Sequence, residues 1–217
     1  MSPTADLIRW NEEQRCQKAV AALKMNGFDA IYFRTAQEAH DYIMAEAADA
    51  QSIGFGGSLT IADLGVQAKL QEQGKEILTH WLPGLTREEV IQIKRRQLVS
   101  DLFLTGSNAV TLNGWLVNID GSGNRVAAMA FGPKKVIVVA GRNKLVDGEL
   151  PEAIERVKNR ASVPNAKRLN SNTPCAKTGF CSNCNSPDRI CRITTIIDRK
   201  PSLSDIRVLV VNEDLGL

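Results

Sequence analysis

The sequence predicts an α/β protein built on a largely parallel sheet with helices packed on both faces. Three observations carry that expectation. Strand-like and helix-like segments alternate through most of the chain. The stretch "KKVIVVAG" is continuously apolar after its two lysines, as suits a strand covered on both faces. Polar, glycine-rich turns follow several strand-like segments, and open α/β sheets bind ligands beyond the carboxyl ends of their strands.

The elements follow in order. From Thr4 to Asn26, Leu7, Trp10, Ala19, Ala22 and Leu23 recur at spacings near three and four, which predicts a helix that stops at Gly27. "FDAIYFR" has strand composition and "AQEAHDYIMAEAA" helix composition. "SIGFGG" is a short apolar strand running into glycines, and "SLTIADLGVQAKLQEQ" is read as one helix with Ser58 as its N-cap. "KEILTHWL" is strand-like. In "TREEVIQIKRRQLVS", Thr86 and Glu89 have capping-box spacing, and acids lead while bases trail. "DLFLTGSNAV" and "GWLVNIDGSGN" each hold a strand ending in glycines. Pro151 opens the helix "PEAIERVKN", and "RITTIID" and "IRVLVVN" close the chain as two strands. One domain over 1–217 is expected, with the N-terminal helix at 1–27 and a Cys-rich loop at 172–192 as elaborations.

At 217 residues, 43% apolar and 24% charged, the chain has the makings of an ordinary core and does not need disulfides to fold. A net charge of +3 is too small for a nucleic-acid or membrane footprint. No run is apolar for long enough to span a bilayer, and the first residues carry acids and no apolar signal core. A cytoplasmic, reducing setting is therefore expected, with no membrane insertion and no nucleic-acid partner.

Three glycine-rich turns are the candidate ligand site. The first holds Gly54, Gly56, Gly57, Ser58 and Thr60, where backbone can approach a ligand and hydroxyls are at hand. It is neither a dinucleotide fingerprint nor a P-loop, and a phosphate or carboxylate suits it. A plain strand-to-helix turn is the simpler reading. The second holds Gly106 and Asn108. The third holds Asn118, Asp120, Gly121, Asn124 and Arg125. Asp120 is open to acid, base or turn roles, and Arg125 to a bidentate carboxylate clamp or an ordinary surface charge. His80 is read as structural or site-facing, and His40 and Cys16 as packing.

"GFGGSLTIADLG", "GSNAVTLNGWLVNIDGSGNRVAAMAFGPKKVIVVAGRNKLV" and the terminal "VNEDLGL" resemble the LUD-domain family, the lactate-utilisation proteins. That family is similar in fold to the sugar-phosphate isomerase and CoA-transferase superfamily. The resemblance implies a three-layer α/β/α fold with the ligand at these strand ends, where related enzymes hold phosphate or the acid substrate in the "GGS" turn. It also implies organic-acid chemistry beside iron–sulfur oxidoreductase subunits. CoA transferases use a glutamate nucleophile. The comparable stretch here, Thr111-Leu112-Asn113-Gly114, has no carboxylate. An independent enzyme on a phosphorylated or CoA-linked metabolite, and a non-catalytic metal-stabilised module, are the competing functions.

Four of the five cysteines, Cys175, Cys181, Cys184 and Cys191, fall within one turn-rich loop. Four thiolates match the ligand set of an iron–sulfur cluster or of tetrahedral zinc. The lactate-utilisation setting favours a 4Fe–4S cluster, with zinc as the alternative. Idle or regulatory thiols and a disulfide staple remain open, although a reducing compartment disfavours the staple.

Overall fold

The computed structural model describes residues 3–217, so the first two residues of the expected domain and N-terminal segment lie outside it. The chain opens with α1 (Pro3–Met25), β1 (Asp29–Phe33), α2 (Ala36–Glu46) and β2 (Ser52–Phe55). Ser58 then caps a helix, its hydroxyl accepting from the Ile61 amide at 3.4 Å, as expected. That helix is not continuous. Gly65 takes a left-handed φ of +67° and divides it into α3 (Leu59–Asp63) and α4 (Val66–Glu72). β3 (Glu76–Leu78) follows, and then α5 (Arg87–Gln97). The capping box of α5 is formed in full, with Glu89 donating its amide to Thr86 and accepting the Thr86 amide at 2.7 Å.

β4 (Leu102–Gly106) leads into β5 (Ala109–Thr111), β6 (Leu116–Asp120) and α6 (Asn124–Ala130). β7 (Lys135–Gly141) passes through a 3₁₀ turn, Arg142–Lys144, into β8 (Leu145–Val146). α7 (Leu150–Arg156), a π-helical turn at Val157–Ser162 and α8 (Val163–Arg168) follow one another directly. The cysteine loop holds only the short α9 (Pro174–Thr178), and β9 (Ile193–Ile197) and β10 (Asp205–Val211) complete the chain.

The main sheet is six-stranded and wholly parallel, in the order β1-β10-β7-β4-β2-β3, and helices flank it. Alternate residues of each strand feed two cores. Val136, Val138 and Ala140 of β7 face α1 and α6, while Ile137 and Val139 face α2, α3 and α4. The sequence reading placed every strand in one sheet, and the structure corrects this. A second, four-stranded sheet runs β8-β5-β6-β9, with β5–β6 and β6–β9 antiparallel. One of its faces adds Val110, Leu116 and Ile197 to the core under α1. The other presents Ala109, Val117 and Ile119 to α7 and the π-helical turn. Strand composition is the same in both sheets, so nothing in the residues marked the division. The first turns of α1 also depart from expectation: Leu7 is 66% exposed and Trp10 60%, so the buried stripe begins only at Cys16.

The hairpin between β5 and β6 turns directly against α1. Gly114 has φ +78°, and a Cβ there would stand 2.6 Å from the carbonyl carbon of Ala22. Asn26 bonds both Asn113 O and Gly114 O through its side-chain amide. Gly114→Ala is therefore expected to lose about 3 kcal/mol or more in denaturant unfolding, against roughly 1 kcal/mol for Gly84→Ala. Gly84 has the same kind of φ, +80°, with nothing within 4 Å of the added carbon. Equal losses would show that the hairpin does not press on the helix.

Candidate functional site

β2 and β4 are neighbours, yet the chain leaves them on opposite faces of the sheet. After β2 it crosses to α3, whose Ile61 joins the core of α2 and α4. After β4 it crosses to β5, whose Val110 joins the core of α1. Such a divergence opens a crevice beyond the strand ends. A cavity of about 430 Å³ lies there. Gly56, Gly57, Ser58, Thr60, Gly106, Asn108, Asp120, Gly121, Asn124 and Arg125 all line it, so the three glycine-rich turns meet at one place. Two of the expected residues do not line it. Gly54 lies within β2, where a Cβ would strike the Phe103 ring at 2.8 Å and the Ser100 hydroxyl at 3.0 Å. Asn118 is buried behind the wall.

The first turn is held open by Gly57, at φ +70°, beneath His80 and Trp81. A Cβ on Gly57 would sit 3.1 Å from His80 Nε2 and 3.2 Å from Trp81 Nε1. Burial, and Lys94 nearby, push the His80 imidazole down to about 4, so it is neutral near pH 7. Gln97, at the end of α5, donates to Phe55 O at 2.8 Å and Leu78 O at 3.0 Å, fixing the ends of β2 and β3.

Arg125 is 8% exposed, neither a surface charge nor a free clamp. Its Nη1 donates to Asn118 Oδ1 at 2.6 Å and Gly106 O at 3.3 Å, and its Nη2 to Asn108 Oδ1 at 2.9 Å and Ile119 O at 3.0 Å. All four terminal N–H groups are thus engaged, and the bidentate carboxylate clamp anticipated from the sequence has no free donors. Arg125 still contributes its charge to the cavity wall. Asp120 Oδ1 lies 3.8 Å from Arg125 Nε, while its buried Oδ2 has no hydrogen-bond partner.

Sequence reasoning missed Lys144, Trp81, Lys94 and Arg168. Lys144 is 4% exposed and lines the cavity, with Nζ 2.5 Å from Thr60 Oγ1. Burial first, then the guanidiniums of Arg156 and Arg125, lower its ammonium to about 7. Arg156 fixes the turn that carries it, donating to Asn143 O at 2.7 Å and Asn108 O at 2.5 Å. Lys144 follows the carboxyl end of β7, so the rule applied to the glycine turns would have found it there too. Arg168 stacks 4.9 Å over the Trp81 ring, brought by a helix far along the chain with no local signal. His40 is buried with Nδ1 2.8 Å from Leu64 O, and Cys16 is buried with its thiol pushed up to about 11 by burial. The CoA-transferase-like stretch Thr111–Gly114 forms the hairpin over α1 and does not line the cavity.

The four loop cysteines line a second, smaller recess, together with Lys158 and Arg189. Arg189 organises it, donating to Cys184 O and Cys191 O, both at 2.6 Å. Cys191 takes a hydrogen bond from Ser162 and lies in the field of the Cys181 and Cys175 sulfurs. All five cysteines of the chain are free thiols. Among the described residues, no three His, Cys, Asp or Glu side chains are arranged to hold a metal ion. Ile190 belongs to both recesses, and Ser162 lines the larger while bonding Cys191.

Lys144 makes stability depend on pH. Its folded value near 7 lies below the unfolded value of 10.5. The unfolded chain therefore binds more protons between those values, and stability rises with pH across that window. The cost of the buried charge is complete below pH 7. Lys144→Met is expected to gain about 3 kcal/mol at pH 6, and clearly less at pH 9, in denaturant unfolding. A gain independent of pH would mean that the amine is not held this way.

The LUD domain profile matches residues 16–211. In structure the chain is similar to a DUF162 family protein from Deinococcus radiodurans, with a TM-score of 0.51 and 16% identity over 94% of this chain and 98% of that one. At that identity the likeness shows the shared fold alone. No curated protein matches the chain. With most of its length matched by that profile, the chain belongs to the LUD-domain family.

Proposed function

We propose that this protein binds a small carboxylate- or phosphate-bearing metabolite in the cavity at the β2 and β4 ends. In this reading it serves organic-acid oxidation of the lactate type, as an accessory or catalytic subunit beside iron–sulfur oxidoreductases. The observation that carries the anion is the imbalance of side-chain charge. Lys94, Arg125, Lys144 and Arg168 line the cavity against Asp120 alone, and His80 is neutral. A low-dielectric recess with such an excess favours a negative guest. The metabolic setting is supported by family membership, with the fold itself neutral between reactions.

Calorimetry with L-lactate and with inorganic phosphate tests the site. At least one is expected to bind, and Gly57→Val is expected to weaken it about tenfold or more, because the branched side chain would meet His80 and Trp81. No heat with either probe, or an unchanged affinity in the folded variant, would sink the reading.

The same proposal gives Cys175, Cys181, Cys184 and Cys191 a metal. Their thiols share one recess, and Lys158 and Arg189 are there to offset thiolate charge. The sulfurs are not in ligating positions, so binding would have to draw the loop closed, with ordering and ligation coupled. An iron–sulfur cluster would supply electron transfer there, whereas zinc would supply order alone. The Cys184→Ser variant, purified without oxygen beside the parent, is expected to hold less iron or zinc. Proteases should also cut residues 172–192 faster while the main sheet persists. Equal metal content in the two, or none in the parent, would count against the centre.

A further inference from the structure

Binding an anion does not account for everything at the cavity. Lys144 is a buried amine with one hydrogen-bonding neighbour, the Thr60 hydroxyl. A buried ammonium ordinarily takes a carboxylate partner and fills its three donors. Among the described residues Lys144 forms no ion pair. The charged groups that face it are the guanidiniums of Arg156 and Arg125, of like sign, and the more distant Asp63, whose carboxylate accepts the Gly216 amide at 2.7 Å. Asp120 Oδ2, in the same cavity, is a second polar atom without a partner. Meanwhile Arg168 and Lys94 remain at the wall to meet a carboxylate. The site thus holds cations for an acid group and, separately, an amine that does not need to be one of them.

We propose that Lys144 is a nucleophile that takes the carbonyl carbon of a small 2-oxo or aldehydic acid as a reversible imine. The inference rests on the anion-binding reading and narrows its ligand to acids that carry a carbonyl. The amine lone pair forms the C–N bond as the carbonyl π pair moves to oxygen. That oxygen collects the amine protons, with the Thr60 hydroxyl in contact with Nζ to relay them. It then leaves as water when the C–O bond breaks. The balance is amine plus carbonyl giving imine plus water, with nothing oxidised or reduced. Desolvation and the two guanidiniums keep a share of Lys144 unprotonated near neutral pH, as the step requires.

The test uses the full chain with glyoxylate as the probe. Reduction of an imine by borohydride would leave one carboxymethyl group on the lysine, located by peptide mass mapping. At pH 7, Lys144 is expected to be labelled about tenfold or more over the exposed Lys134, and labelling should fall as pH is lowered to 5. L-Lactate, which fills the acid subsite without a carbonyl, should suppress it. Labelling of Lys144 no greater than that of Lys134 overturns the proposal. Calorimetry on the same preparation separates the two failures. Lactate or phosphate heat without an adduct rejects the imine and leaves the anion site standing, and absence of both rejects both.

Discussion

A guanidinium taken out of water must find acceptors on every side, and Arg125 sets that condition for the centre of the molecule. Asn118 and Asn108 meet it with their side-chain oxygens, and Gly106 and Ile119 with their carbonyls. The same two asparagines also bind backbone: Asn118 Oδ1 accepts from the Asn108 amide, and Asn108 Oδ1 from the Ile119 amide. The result is a polar knot joining the end of β4, the strand β6 and the helix α6. Removing one acceptor would leave buried charge exposed to apolar neighbours, so the knot holds or fails together. The large sheet and the small one are joined through it at the point where the cavity opens.

The small sheet also decides what the cavity is made of. Because β5 and β6 leave the main sheet and return, the floor is supplied by β2 and β4, while one wall comes from the turn after β6. The other walls come from the turn after β7 and from the helices that follow it. Arg156 ties these together by bonding Asn143 and Asn108 at once. Lys144 is thereby fixed in place from outside its own segment, which is how a loop residue acquires a defined environment.

Much of this was legible in the chain. Alternation of strand and helix gave the parallel sheet, and the capping signals at Ser58 and Thr86 placed two helix starts correctly. The glycine turns did converge, because the strand-end rule depends only on sheet topology. What failed was anything decided by non-local packing. Asn118 and Arg125 have the residue types of ligand contacts, yet each spends its hydrogen bonds on the other. Lys144 reads as one more surface lysine until the sheet and α7 bury it. The second sheet was invisible because β5, β6 and β9 have the same apolar composition as the strands of the first.

The π-helical turn Val157–Ser162 carries a consequence for how this chain can vary in length. A π turn accommodates one residue more than the α-helical spacing allows. Deleting that residue would restore regular winding and swing everything beyond it by about 100°. Asn165 and Arg168 would rotate off the cavity wall, and Arg168 would part from Trp81. Ser162 would turn away from Cys191. Relatives that keep these contacts must therefore keep the extra residue, whereas the exposed turn at Gly84 has room for insertion or loss.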